Sequence, residues 1–85
     1  MKTNKDIVFR AVGRNISYYR KMLRLTQRDL AGKAHVSPSS VGRLERGCYN
    51  ENVPLSMVID LADAMDIDFT KFFQFNREDM LRWRQ

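Results

Sequence analysis

The 85-residue chain is predicted to form an all-α domain of five helices. Three observations lead there. Thr26 to Gly47 reads as two short helices joined by a tight turn. Val12, Ile16, Tyr19 and Leu23 recur at the three- and four-residue spacing of one helical face, which Ile7, Val8 and Phe9 extend towards the N-terminus. After Pro54, the residues Leu55, Val58, Ile59, Leu61, Ala62 and Met65 repeat that spacing and are expected to face inward. A chain of this length makes one small domain. It buries only about 60–65% of the surface its unfolded form exposes, so its stability is modest and a partner chain would help.

The first helix is expected over about Asp6 to Leu23, with Arg10, Arg14, Ser17 and Lys21 on its solvated side. Residues 1–5 are polar and are read as a flexible N-terminus. Thr26 suits the N-cap of helix two, and Asp29 three residues on completes an acidic capping box. Leu30, Ala31 and Ala34 give that helix a small apolar face. Ser37 caps helix three, with Pro38 at the first helical position, where its missing N–H costs nothing. Gly47 is the natural stop. Only about three residues separate the two helices, so they must cross steeply, as in a helix-turn-helix.

Helix three carries the chemistry. At about 100° per residue, Val41 and Leu44 share a buried face. Ser39, Arg43 and Arg46 fall on the opposite face, with Gly42 at its edge. Small residues let a helix approach a surface closely, and arginine forks suit guanine edges and phosphates. On its own this face is equally compatible with an ordinary solvated surface.

The stretch as a whole resembles the helix-turn-helix of phage repressor and Cro-type regulators, the XRE family. Leu25-Thr26-Gln27, Leu30-Ala31, Val36-Ser37, Val41 and Glu45-Arg46-Gly47 stand at that family's spacing. The likeness runs from about Val12 to Phe73. It implies a five-helix lambda-repressor-like DNA-binding domain with the helix-turn-helix at helices two and three. It also implies that Arg20 and Glu45 pair as a buried ion pair, that Gln27 meets the DNA backbone, and that the loop holding Tyr49 and Asn50 lies over that backbone. His35 and Arg24 stand where the family often has glycine. Both sites favour a left-handed backbone, which costs a non-glycine residue about 1 kcal/mol, so locally adjusted turns are expected there.

Charge supports a polyanionic partner. The net charge of +5 divides into +8 over residues 1–46 and −3 over residues 47–85. A basic half suits a membrane surface or nucleic acid, and the helix-turn-helix pattern favours duplex DNA. No run is long enough to span a membrane, no signal peptide is evident, and the single Cys48 excludes an internal disulfide. A cytoplasmic protein is expected. His35 has no ligand partners at metal spacing, so neither a metal nor a cofactor is expected.

The remaining chain is read as helix four, from Pro54 to about Asp66, and a fifth short helix capped by Asp68, Phe69 to about Phe75. Asp60 and Asp63 make a solvated acidic ridge. Phe69, Phe72, Phe73 and Phe75 crowd seven residues, more than so small a domain is expected to bury. Phe69 and Phe72 are assigned to the core, Phe73 and Phe75 to a second subunit. The DNA-binding domain therefore spans 6–75. Residues 76–85, with Met80, Leu81 and Trp83, form a tail that packs on the core or a partner, or frays.

Together these features predict a sequence-specific regulator, a homodimer on a near-palindromic duplex operator, acting as repressor or autoregulator. Helix three, about 38–46, enters the major groove with Ser39, Ser40 and Arg43 at the bases. Gln27, Arg28, Arg46, Tyr49 and Asn50 hold the DNA backbone, Gln27 and Arg28 through the exposed N–H groups of a helix N-terminus. No small-molecule effector domain is present in the pattern. The alternative is an antitoxin or other interaction module using the aromatic, acidic C-terminal half. Enzymatic constellations are lacking.

Overall fold

The computed structural model describes residues 2–48 and 52–84. Among them are five α-helices: α1 (Lys5–Met22), α2 (Gln27–Ala34), α3 (Pro38–Glu45), α4 (Leu55–Ala64) and α5 (Arg77–Trp83). A 3₁₀ helix, Phe69–Phe73, precedes α5. No strand occurs among the described residues, although Thr3 and Arg84 form an isolated antiparallel bridge. No helix is long and apolar enough to cross a membrane.

Helix starts follow side-chain chemistry. The Asn4 side chain accepts from the N–H groups of Asp6 and Ile7 at the head of α1. Thr26 and Asp29 form a reciprocal capping box on α2, each bond 2.9 Å. Ser37 Oγ accepts from Ser40 N–H at the start of α3, with Pro38 in the first turn.

Helix ends share one device. Arg24, His35, Asp66 and Gly47 have φ of 57°, 58°, 55° and 68°, all left-handed. In each case the next residue donates its N–H five residues back: Leu25 to Arg20, Val36 to Ala31, Ile67 to Ala62 and Cys48 to Arg43, at 2.9–3.1 Å. Leu25, Val36 and Ile67 also pack against the core. The turns at Arg24 and His35 are therefore not adjusted away from the glycine-favouring geometry. The closing hydrogen bond and the buried apolar residue after it hold a left-handed residue that is not glycine.

The core is one cluster, in which Phe72, Ile16, Leu30, Leu44, Leu61, Val41 and Val58 are the largest fully buried side chains. α1 crosses α3 at Gly13, where an added Cβ would fall 2.2 Å from the Leu44 carbonyl oxygen and 2.7 Å from that of Glu45. Three residues expected inward are exposed. Leu23 lies past the last turn of α1, and Leu55 opens α4 at the rim of an apolar groove. Phe69, at the start of the 3₁₀ helix, stacks edge-on against the exposed Phe73, while Phe72 alone of the pair assigned to the core enters it.

The aromatic segment is a 3₁₀ helix rather than the fifth α-helix, and the fifth α-helix lies in the tail. Asn76 accepts from Asp79 N–H at 2.7 Å, capping α5. The Asp79 carboxylate, itself buried, then takes both terminal nitrogens of Arg14 at 2.9 and 2.6 Å. Arg14, half-exposed on the side assigned to solvent, thus pairs with an acid 65 residues away in the chain. Trp83 sets its ring edge-on to Phe75 at 5.0 Å, and its carbonyl accepts from Asn4 N–H at 2.7 Å. The two ends of the chain are joined through α5.

Candidate nucleic-acid interface

The first three helices meet at Glu45. Arg20, from the last turn of α1, places Nε 2.6 Å from Glu45 Oε2 and a terminal nitrogen 3.0 Å from Oε1. Its remaining terminal nitrogen donates to the Leu25 carbonyl at 2.8 Å. Gln27, the first residue of α2, donates Nε2 to Glu45 Oε1 at 3.1 Å. One carboxylate at the end of α3 thereby fastens α1, α2 and α3 together. Burial pushes the Glu45 carboxyl up, yet the bonds from Arg20, Gln27 and Ser17 outweigh it and hold the group below its ordinary value. The pair meets as the resemblance implies. Its link to Gln27 was not evident in the sequence.

This hub changes the role open to Gln27. Its side chain is half-buried and bonded to Glu45, so what it presents outward is a first-turn backbone N–H beside that of Arg28. Gly42 is buried rather than lying at an open edge. A Cβ there would come within 3.3 Å of Gln27 Oε1 and 3.1 Å of an Arg46 guanidinium nitrogen. Its smallness admits those two side chains rather than an approaching groove wall.

Three hydroxyls cluster at the head of α3. Ser37 Oγ lies 3.2 Å from Ser39 Oγ and 2.7 Å from Ser40 Oγ. Ser39 is exposed and Ser40 half-buried. Arg43 is exposed further along the same helix, Arg46 is exposed at its C-cap, and Arg28 is exposed on α2. The surface therefore grades from small hydroxyls to guanidinium groups along one helix, with helix N-terminal N–H groups beside it. Tyr49 and Asn50 lie outside the described residues.

Away from this face, Phe73 is exposed and borders an apolar groove of about 160 Å3 with Val8, Phe9, Val53 and Leu55. Phe75 is turned inward, half-buried against Trp83 and the core, so it does not share the outward role assigned to it.

Two short helices joined by a tight turn, fixed against α1 and presenting a polar-to-basic helix, define a helix-turn-helix DNA-binding domain. The chain belongs to the helix-turn-helix family HTH_3, whose profile matches residues 16–72. Among solved structures it is similar to the restriction-modification controller protein C.AhdI from Aeromonas hydrophila. The two are 33% identical, with 82% of this chain and 100% of that one covered at a TM-score of 0.71. The fold is shared with the clp gene regulator ClgR from C. glutamicum, at 24% identity, 78% and 83% coverage and a TM-score of 0.70. It is shared also with the hypothetical transcription factor NHTF from Neisseria, at 17% identity, 96% and 91% coverage and a TM-score of 0.74. Comparison with curated proteins gave no match.

Proposed function

We propose that this regulator reads duplex DNA as a homodimer on a near-palindromic operator. The observation that carries the reading is the exposed face of α3, held at a fixed angle by the Glu45 hub. Ser39 and Arg43 meet base edges in the major groove, and Ser40, half-buried, touches bases through the hydroxyl cluster. Arg46, Arg28 and the backbone N–H of Gln27 hold phosphates, which set the register without carrying sequence information. Phe73 and the groove beside it join the two subunits, and a symmetric dimer of this kind reads two half-sites about one DNA turn apart. The protein acts as a repressor or autoregulator in the cytoplasm. The likeness to the restriction-modification controller protein C.AhdI favours a controller role of that kind.

Selection from a randomised duplex pool, followed by salt titration on the enriched site, tests the reading. Two inverted half-sites and a steep fall of affinity with salt are expected. Enrichment of no sequence would remove α3 as a base reader, and a single half-site would remove the symmetric dimer.

A further inference from the structure

The basic surface does not end at the helix-turn-helix. Arg10 and Arg14, one turn apart on α1, and Arg82 on α5 line a hollow of about 250 Å3, floored by Ala11 and Ile7 with Asp79 beside them. Both Asp79 oxygens are taken by Arg14. That carboxylate locks the orientation of Arg14 and also attracts Arg82 through space, and the hollow with its three arginines and one acid keeps a net positive charge. Asp6 and Glu78 stand four residues before Arg10 and Arg82 on the same helices, the usual spacing for a helix pair. Yet among the described residues the ion pairs are Arg14 with Asp79 and Arg20 with Glu45, and neither Asp6 nor Glu78 takes part in them.

The hollow meets the end of the helix-turn-helix at Arg10. Gly47, one residue past the C-cap of α3, packs on Arg10 so closely that a Cβ there would fall 2.6 Å from Arg10 Cγ. Arg10 therefore stands where α3 ends, and Arg82 continues the line of charge onto α5. α5 lies outside residues 16–72, the part that matches the family.

We propose that Arg10, Arg14 and Arg82 form a second phosphate-binding surface, which takes backbone phosphates of duplex DNA beyond the site read by α3. The proposal rests on the reading of α3 as a DNA-reading helix. Guanidinium forks match phosphate oxygens in pairs, and the Asp79 bond presents Arg14 with its orientation already set. α5 is then a device that carries an arginine to the α1 face, lengthening the footprint without adding base readout.

The test uses the full chain and two duplexes carrying the enriched site, one trimmed to the site and one extended by about one helical turn on each side. In the double variant Arg10→Gln with Arg82→Gln, the salt dependence on the extended duplex should fall by about two phosphate equivalents. When salt is raised about fourfold, wild type should then lose about tenfold more affinity than the variant. On the trimmed duplex the two proteins should behave alike, and the enriched sequence should be unchanged. Arg10→Lys with Arg82→Lys should keep the wild-type slope. An unchanged slope for the glutamine variant on the extended duplex overturns the proposal. So does an equal loss in the lysine variant, which would make the arginines structural. Absence of salt-dependent binding by wild type would instead fail the reading of α3 itself.

Discussion

Two arginine–carboxylate forks leave α1 six residues apart, and they do different work. Arg20 and Glu45 have side chains 11% and 6% exposed, whereas Arg14 and Asp79 have 51% and 6%. The shortest contact is 2.6 Å in both. Arg20 also holds the Leu25 carbonyl, and Glu45 also holds Gln27, so the inner fork ties three helices. The outer fork ties one helix, α5, to α1. Bond length therefore says little about importance. What matters is how many elements the carboxylate joins and whether the arginine can return to water. A buried pair broken on one side leaves an uncompensated charge, but a half-exposed arginine is rehydrated.

The comparison breaks first at Glu45. Glu45→Ala strands the Arg20 guanidinium and releases Gln27, and should cost about 3–5 kcal/mol in a denaturant melt. DNA binding should be lost with it. A loss below about 1 kcal/mol would show that the hub is not what fixes the reading head. Gly13→Ala comes next. The added Cβ meets backbone carbonyls of α3 at 2.2 and 2.7 Å, which cannot swing aside as a side chain would. About 3 kcal/mol should be lost, and α3 should shift against α1.

Asp79→Ala should cost only about 1–2 kcal/mol, and α5 should exchange its amide protons faster while α2 and α3 stay protected. Acid should act on both forks. Arg14 holds the Asp79 carboxyl below its ordinary 3.8, and Glu45 is likewise held below its ordinary 4.5. A depressed carboxyl contributes stability that is full above its ordinary value and is lost as pH falls through its folded value. Stability should thus be level above about pH 5 and decline below it, with a shallower decline in Asp79→Asn.

The smallest effect has the opposite sign. His35 occupies a left-handed position at about 1–2 kcal/mol, while glycine there would add about 0.5–1 kcal/mol of backbone entropy loss. His35→Gly should therefore stabilise by about 0.5–1 kcal/mol in the same melt, without altering DNA affinity. Destabilisation would mean that the imidazole makes a contact worth more than its backbone costs.

How legible each region was follows from the range of its interactions. α2 and α3 are set by neighbours: Thr26 with Asp29, Ser37 with Pro38, and Gly47 at the end. Their boundaries follow from those residues. The Arg20–Glu45 pair came through family resemblance, because no local pattern joins residues 25 apart. The Arg14–Asp79 fork had no such guide, and Arg14 was assigned to solvent. A signal for α5 was nonetheless present. Asn76 stands three residues before Asp79, as Thr26 stands before Asp29, and an Asx cap opening a short helix was there to be recognised. Gly13 offered another, since a glycine inside an amphipathic helix costs about 1 kcal/mol and marks close approach of a second backbone. Phe75 was misplaced because its partner, Trp83, belongs to a tail whose packing no periodicity reveals. The positions after the left-handed turns were informative too. Leu25, Val36 and Ile67 are apolar residues in polar turns, and they are the reason glycine is not needed there.

The central claim is that α3 reads bases and that Arg43 specifies one of them. The most direct test selects binding sites from a randomised duplex pool with wild type and with Arg43→Ala side by side. Base preference should relax at one position in each half-site, a loss of about 1–3 kcal/mol of discrimination, while preference elsewhere and non-specific binding persist. A uniform loss of affinity across all sequences, with every preference intact, would contradict the claim and place Arg43 on the phosphate backbone.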